Sequence, residues 1–165
     1  MPEHTSDDAG LSARRSLDPI LRPRSIAVVG ASRRTNSIGN AILRHLIEGG
    51  FTGPVFPINP SADSVAAVPA FASVMDLPTA PDLAFIVVPK ERALEAVREC
   101  GEKGVRGLVV ITAGFREVGG AGIALEQELS DIVQRYGMRM VGPNCMGVLN
   151  TSTAVSMNGT FAPYM

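Results

Sequence analysis

The chain has 165 residues, 45% hydrophobic and 19% charged, which suits one domain with a sizeable core plus tails. Its formal net charge is −1, with no basic stripe and no interleaved aromatics, so nothing draws it to nucleic acid or to an anionic membrane. Cys100 and Cys145 make no disulfide framework, His4 and His45 suggest no ordinary zinc site, and no apolar run suits a signal or a membrane span, which together point to a cytoplasmic protein.

Residues 1–16 are polar and aperiodic and read as a disordered tail. Leu17, Ile20 and Leu21, set among prolines, form a lead-in expected to pack on the domain edge. The first strand is expected over about 25–30, because Ile26 to Val29 is a short apolar run of the kind that is buried on both faces. Gly30 ends it. A small, polar, partly basic loop follows, and a helix is expected over about 37–49, with Ile38, Ile42 and Leu46 as its stripe, widened by Ala41 and Ile47, and His45 facing solvent. Strand, glycine turn and helix start form the junction where backbone N–H groups and the helix dipole face a bound anion.

The dinucleotide fingerprint is only partly matched. Ser32 stands where a second glycine would, and the next glycine is Gly39. The loop is longer and more polar than a dehydrogenase turn, with hydroxyls at Ser32, Thr35 and Ser37 and charges at Arg33 and Arg34. That favours a phosphorylated cofactor over NAD. Strand two, Val55 to Ile58, closes on Asn59-Pro60, where an NAD site usually carries an acid for the ribose.

Residues 69–77 suit a short helix or turn with Phe71 and Leu77 inward, and Leu83 to Val88 is the third strand, ended by Pro89. A helix over about 90–103 buries Ala93, Val97 and Cys100, which makes Cys100 a core thiol. Gly107 to Thr112 is strand four, and a helix over about 123–136 turns Leu125, Leu129, Ile132, Val133 and Tyr136 inward. Strand five, Arg139 to Val141, closes at Gly142-Pro143-Asn144-Cys145. The alternation of strands and helices specifies an α/β fold, Rossmann-like and three-layered, with a mostly parallel sheet of about five strands. The folded domain is expected over 17–150. Residues 151–165 show no clean element and read as the start of a connection to a following domain.

Ligands of such sheets lie beyond the C-terminal strand ends. That edge comprises Gly30 to Arg33, Asn59 to Ser61, Val88-Pro89-Lys90, Thr112-Ala113-Gly114-Phe115 and Pro143-Asn144-Cys145. It offers Arg33, Arg34 and Lys90 as phosphate partners, and it lacks histidine and paired carboxylates. Glu117 and Cys145 are its reactive types, and neither has an evident partner base. The inventory describes a binding platform.

Several motifs together resemble the N-terminal CoA-binding domain of the NDP-forming acyl-CoA synthetases, among them acetate–CoA ligase (ADP-forming), which are related to the succinyl-CoA synthetase α subunit. They are Pro23-Arg-Ser-Ile-Ala-Val-Val-Gly-Ala-Ser32, Ile38-Gly-Asn40, Gly50-Phe-Thr-Gly-Pro-Val55, Ile58-Asn-Pro60, Asp82-Leu-Ala84, Val88-Pro89, Gly104-Val105, Thr112-Ala-Gly-Phe115 and Met138-Arg-Met-Val-Gly-Pro-Asn-Cys-Met-Gly-Val-Leu-Asn150. The resemblance implies coenzyme A as cofactor. It implies that Gly30 to Gly39, with Ser37 and Ile38, hold the pyrophosphate, and that Asn59-Pro60 lies near the adenosine. Val88-Pro89 would follow the nucleotide and pantetheine, while Thr112, Ala113, Gly114, Asn144 and Cys145 would meet the thiol end. Two positions depart from the pattern: Ser61 stands where lysine is frequent, and Ala67 where glycine is.

The resemblance also implies partners. The parent reaction, acyl-CoA, phosphate and ADP to acid, CoA and ATP, needs a phospho-histidine domain and an ATP-grasp domain that this sequence does not contain. Some relatives carry an acetyltransferase domain instead and act on protein lysines, and others are free-standing CoA-binding regulatory proteins. An NAD(P)-binding oxidoreductase fragment is the reading outside this family. Apolar surface left by absent domains would permit a homodimer.

Overall fold

The structure, a computed structural model, describes residues 16–162. In chain order its elements begin with a single helical turn α1 (Asp18–Leu21), β1 (Ile26–Val29), α2 (Ile38–Glu48) and β2 (Val55–Ile58). A two-stranded hairpin follows, β3 (Ser64–Val65) and β4 (Val68–Pro69), then a 3-10 turn at Val74–Asp76, β5 (Leu83–Ile86) and α3 (Lys90–Lys103). The chain continues through β6 (Gly107–Val110), a 3-10 turn at Arg116–Val118, α4 (Ala121–Arg135), β7 (Arg139–Val141), β8 (Gly147–Asn150) and β9 (Met157–Thr160).

The apolar runs become the middle of one parallel sheet, ordered β2-β1-β5-β6-β7. β1, β5 and β6 are buried at every position, so alternate side chains feed two separate cores. Ala27, Val29, Ala84, Ile86, Leu108 and Val110 meet the apolar stripes of α3 and α4, including Val97, Cys100, Leu129 and Ile132. Ile26, Val28, Leu83, Phe85 and Val109 meet Ile42, Leu43 and Leu46 of α2, with Ile20 and Met157. β2 is an edge strand, which is why it tolerates Pro57.

This is the three-layer parallel architecture expected, and Cys100 is the buried thiol expected, with burial pushing it up to about 12. The lead-in packs as anticipated, Ile20 being buried against the second core. Within residues 69–77, Phe71 pairs with Ile58 as a bridge and is half-buried, while Leu77 is buried after the 3-10 turn.

Three expectations need correction. The buried face of α2 is rotated: Leu43 and His45 are buried, whereas Ile38 and Ile47 are exposed. His45 does not face solvent, since its ring Nδ1 lies 2.7 Å from the Thr160 carbonyl oxygen. The cause is the third difference. Residues 157–160 are a strand, paired antiparallel with β8, and this hairpin packs over α2 and the sheet. Gly159 permits the close fit, because a Cβ there would lie 2.2 Å from the Phe85 ring. The folded unit therefore extends past 150. The expected disorder of the first residues lies outside the described residues, apart from Ser16.

Candidate functional site

The sheet order reverses between β1 and β5: the chain leaves β1 toward β2 on one side and returns to β5 on the other. At such a switch point the loops diverge and leave a crevice beyond the strand ends. A cleft of about 270 Å³ occupies that position. Gly30 to Ser32, Asn59 to Ser61, and Val87 to Pro89 line it, over an apolar floor of Val29, Ile58 and Ala96.

The first loop is held by close packing. Gly30 has φ +97°, and a Cβ there would sit 2.7 Å from the Val87 carbonyl oxygen. A Cβ on Gly39 would approach the Gly30 carbonyl oxygen to 2.2 Å, so the start of α2 lies directly against the end of β1. Gly39 thus performs the helix–strand packing task of the last fingerprint glycine, displaced along the sequence by the longer loop. Asn40, buried, donates from Nδ2 to the Ser32 carbonyl oxygen at 2.7 Å. Ser37 caps α2, accepting from the Asn40 N–H at 3.3 Å and donating to the Arg34 carbonyl oxygen at 2.8 Å. The N–H groups of Ile38 and Gly39 fall in the first turn, where helix geometry supplies no intrahelical acceptor.

Asn59 braces the neighbouring corner. Its Nδ2 donates to the Ala31 carbonyl oxygen at 2.7 Å, and its Oδ1 accepts from the Ser61 N–H at 2.8 Å. Farther along the edge, Thr112 Oγ1 donates to the Val88 carbonyl oxygen at 2.7 Å, tying the β5 and β6 ends together. Glu117 accepts from the Gly114 and Phe115 N–H groups, chiefly Gly114, which keeps its exposed carboxyl below the usual carboxylate range. The Asn144 N–H donates to the Thr112 carbonyl oxygen at 3.0 Å. The Cys145 thiol is half-buried, donates to the Val110 carbonyl oxygen at 3.4 Å, and is pushed up by burial. At neutral pH it stays a thiol, a poor nucleophile.

The sequence-derived residues therefore divide. Gly30, Ser32, Asn59, Pro60, Val88 and Pro89 share the cleft. Ser37, Ile38 and Gly39 begin the helix beside it, and Thr112, Ala113, Gly114, Asn144 and Cys145 follow the strand ends away from it. Arg33 and Arg34 are exposed and do not line the cleft. Nor does Lys90, whose stem lies beside Gly114, where an added Cβ would be 2.6 Å from Lys90 Cδ. The sequence reading missed Ser73, Arg92, Glu95 and Glu99, which complete the wall. The last three share one face of α3, a spacing visible in the sequence, but only the packing reveals that this face looks into the cleft.

Comparison with known proteins settles the family. Residues 24–151 match the CoA binding domain family. The chain belongs to that family. Over 143 residues the CoA-binding domain is 45% identical to 4-hydroxybutyrate–CoA ligase [ADP-forming] of Nitrosopumilus maritimus, covering 87% of this chain and 20% of that protein. It is 46% identical over 145 residues to the α subunit of acetate–CoA ligase [ADP-forming] II of Pyrococcus furiosus, covering 88% and 31%. The solved dinucleotide forming acetyl-coenzyme A synthetase 1 of Ca. Korarchaeum cryptofilum superposes with a TM-score of 0.84 at 42% identity, covering 90% of this chain and 31% of that one. The CoA-binding domain thus spans about a fifth to a third of the length of these relatives.

Among the described residues, no group of histidine, cysteine and acidic side chains could hold a metal ion, and no helix is long and apolar enough to cross a membrane. His45, the one described histidine, is packed under the β9 hairpin and does not line the cleft. The edge assembled here can bind and orient a ligand, and it holds no complete set of groups for acyl or phosphoryl transfer.

Proposed function

We propose that the cleft at the β1–β5 switch point holds the nucleotide part of coenzyme A, within a larger ADP-forming acyl-CoA synthetase. The observation that carries this reading is the Gly30–Gly39 approach, which sets the start of α2 directly against the end of β1, beside the cleft that Gly30, Ala31 and Ser32 line. Backbone N–H groups at a helix start suit a pyrophosphate, and the apolar floor suits an adenine. Asn59, bonded to Ala31 and Ser61, shapes the adenosine corner. Thr112 to Gly114 and Asn144-Cys145 extend the same edge toward the thiol end.

In the parent protein the reaction interconverts acyl-CoA, phosphate and ADP with acid, CoA and ATP. A phospho-histidine domain and an ATP-grasp domain would supply the groups that this edge lacks. The CoA-binding domain contributes orientation and holds CoA at one end of the acyl transfer, in a cytoplasmic enzyme. Amide chemical shifts followed during a CoA titration test the placement. Concerted, saturating shifts at Gly30 to Gly39, Asn59 to Ser61 and Val88-Pro89-Lys90 are expected, proline reporting through its neighbours. Shifts confined to the opposite sheet edge, around Arg24 and Arg106, would refute it.

A further inference from the structure

We propose that Arg92 reads the phosphate on the ribose of coenzyme A and so discriminates CoA from dephospho-CoA. This rests on the CoA reading above. In sheets of this kind the ribose lies at the end of the second strand, where an acid reads free hydroxyls and a nearby arginine accommodates a ribose phosphate. Here that corner is Asn59-Pro60-Ser61. It brings no charge of its own, and both ends of the Asn59 amide are engaged by backbone groups, Ala31 and Ser61.

Charge reaches the cleft from the facing wall. α3 turns Arg92, Glu95, Ala96 and Glu99 toward it, and Arg92 is the sole cation among the described residues that line it. The other cations of α3 do not line it. Arg98 pairs with Glu128 at 2.9 Å, and the Lys103 ammonium donates to the Met75 and Leu77 carbonyl oxygens. Lys90 lies beside Gly114. Arg92 is exposed in the first turn of α3 and takes part in no ion pair among the described residues.

The two carboxylates sharpen the assignment. Glu99 accepts from Ser73 Oγ at 2.9 Å, and Glu95 lies between Glu99 and Arg92 along the helix. Their negative charge disfavours a phosphate deeper along α3 and leaves the Arg92 end, next to the positive pole of the helix, as the place for it. Ser61 lines the same cleft. A cation introduced there would reach the same volume from the opposite wall.

Calorimetric titration of the whole chain with CoA and with dephospho-CoA tests this. The wild type is expected to prefer CoA. Arg92→Ala should weaken CoA about tenfold and leave dephospho-CoA unchanged, the scale of one partly exposed charge-assisted contact. Arg92→Lys should retain part of the preference, and Ser61→Lys added to Arg92→Ala should restore it. Unfolding curves of the variants should overlay the wild type, because Arg92 is an exposed helical position. Equal weakening of both nucleotides, no weakening of either, or a wild type with no preference would overturn the role of Arg92 while leaving CoA binding intact. A wild type that binds neither nucleotide would instead remove the CoA reading, and this inference with it.

Discussion

The two ends of the central sheet are finished in opposite ways. At the amino edge a single carboxylate ties three strands together. Asp82, just before β5, accepts from the Arg24 N–H at 2.9 Å, from Arg24 Nε at 3.1 Å and from the Arg106 guanidinium at 2.7 Å, joining the entries to β1, β5 and β6. At the carboxyl edge β1, β2 and β5 run out into Gly30, Asn59-Pro60 and Val88-Pro89, and close backbone packing with bonds from the Asn40 and Asn59 amides holds the loops while an open cleft remains. One end uses its charges on itself, and the other keeps Arg92 in reserve. A binding edge must be built from elements that satisfy their own structure without consuming every polar group. The Gly30–Gly39 contact does so by steric fit alone.

If that contact organises the open edge, breaking it should give the largest effect. Gly39→Ala forces a Cβ against the Gly30 carbonyl and should cost about 3 kcal/mol, since neither neighbour is a flexible side chain. Denaturant unfolding would show the loss, and CoA binding should fall with it. Asn40→Ala leaves the Ser32 carbonyl without its donor and should cost about 1–2 kcal/mol. Its CoA affinity should fall although Asn40 does not line the cleft.

The closed edge makes a different prediction. Burial alone would raise the Asp82 carboxyl, but hydrogen bonds from Arg24, followed by Arg106, outweigh it and hold the group at about 2, below its ordinary 3.8. Because the folded value is the lower one, the stabilisation is complete above the unfolded value and is lost as pH falls from 3.8 toward about 2. Asp82→Asn should cost about 1 kcal/mol at neutral pH, a modest figure because Arg24 and Arg106 are largely exposed. Its stability should vary less with pH than the wild type across that window, as unfolding midpoints at successive pH values would show, while CoA binding at neutral pH stays unchanged.

Much of this was legible in the sequence, and what was not has physical causes. β1, β5 and β6 announced themselves because strands buried on both faces must be continuously apolar. The hairpins did not. β9 reads Met-Asn-Gly-Thr, and its glycine, a mark of weakness in an isolated strand, is there to admit the Phe85 ring. The β3–β4 turn carries Ala66 and Ala67 at φ +50° and +64°, so the glycine signal of a two-residue turn is missing. The cleft followed the same division: its glycine loop could be read from residue types, but the side of α3 that carries Arg92 could not be assigned without the packing. The smallest predicted effect tests the turn. Ala67→Gly should stabilise the fold by about 0.5–1 kcal/mol in thermal unfolding, by relieving a left-handed backbone that alanine disfavours.

The proposed role of the open edge is that of a coenzyme A platform. Calorimetric titration of the chain with CoA, run beside NAD+, addresses it most directly. Saturable binding of CoA at one site per chain, with no detectable heat from NAD+, is the expected result. No saturation with CoA, or equal affinity for NAD+, would contradict it.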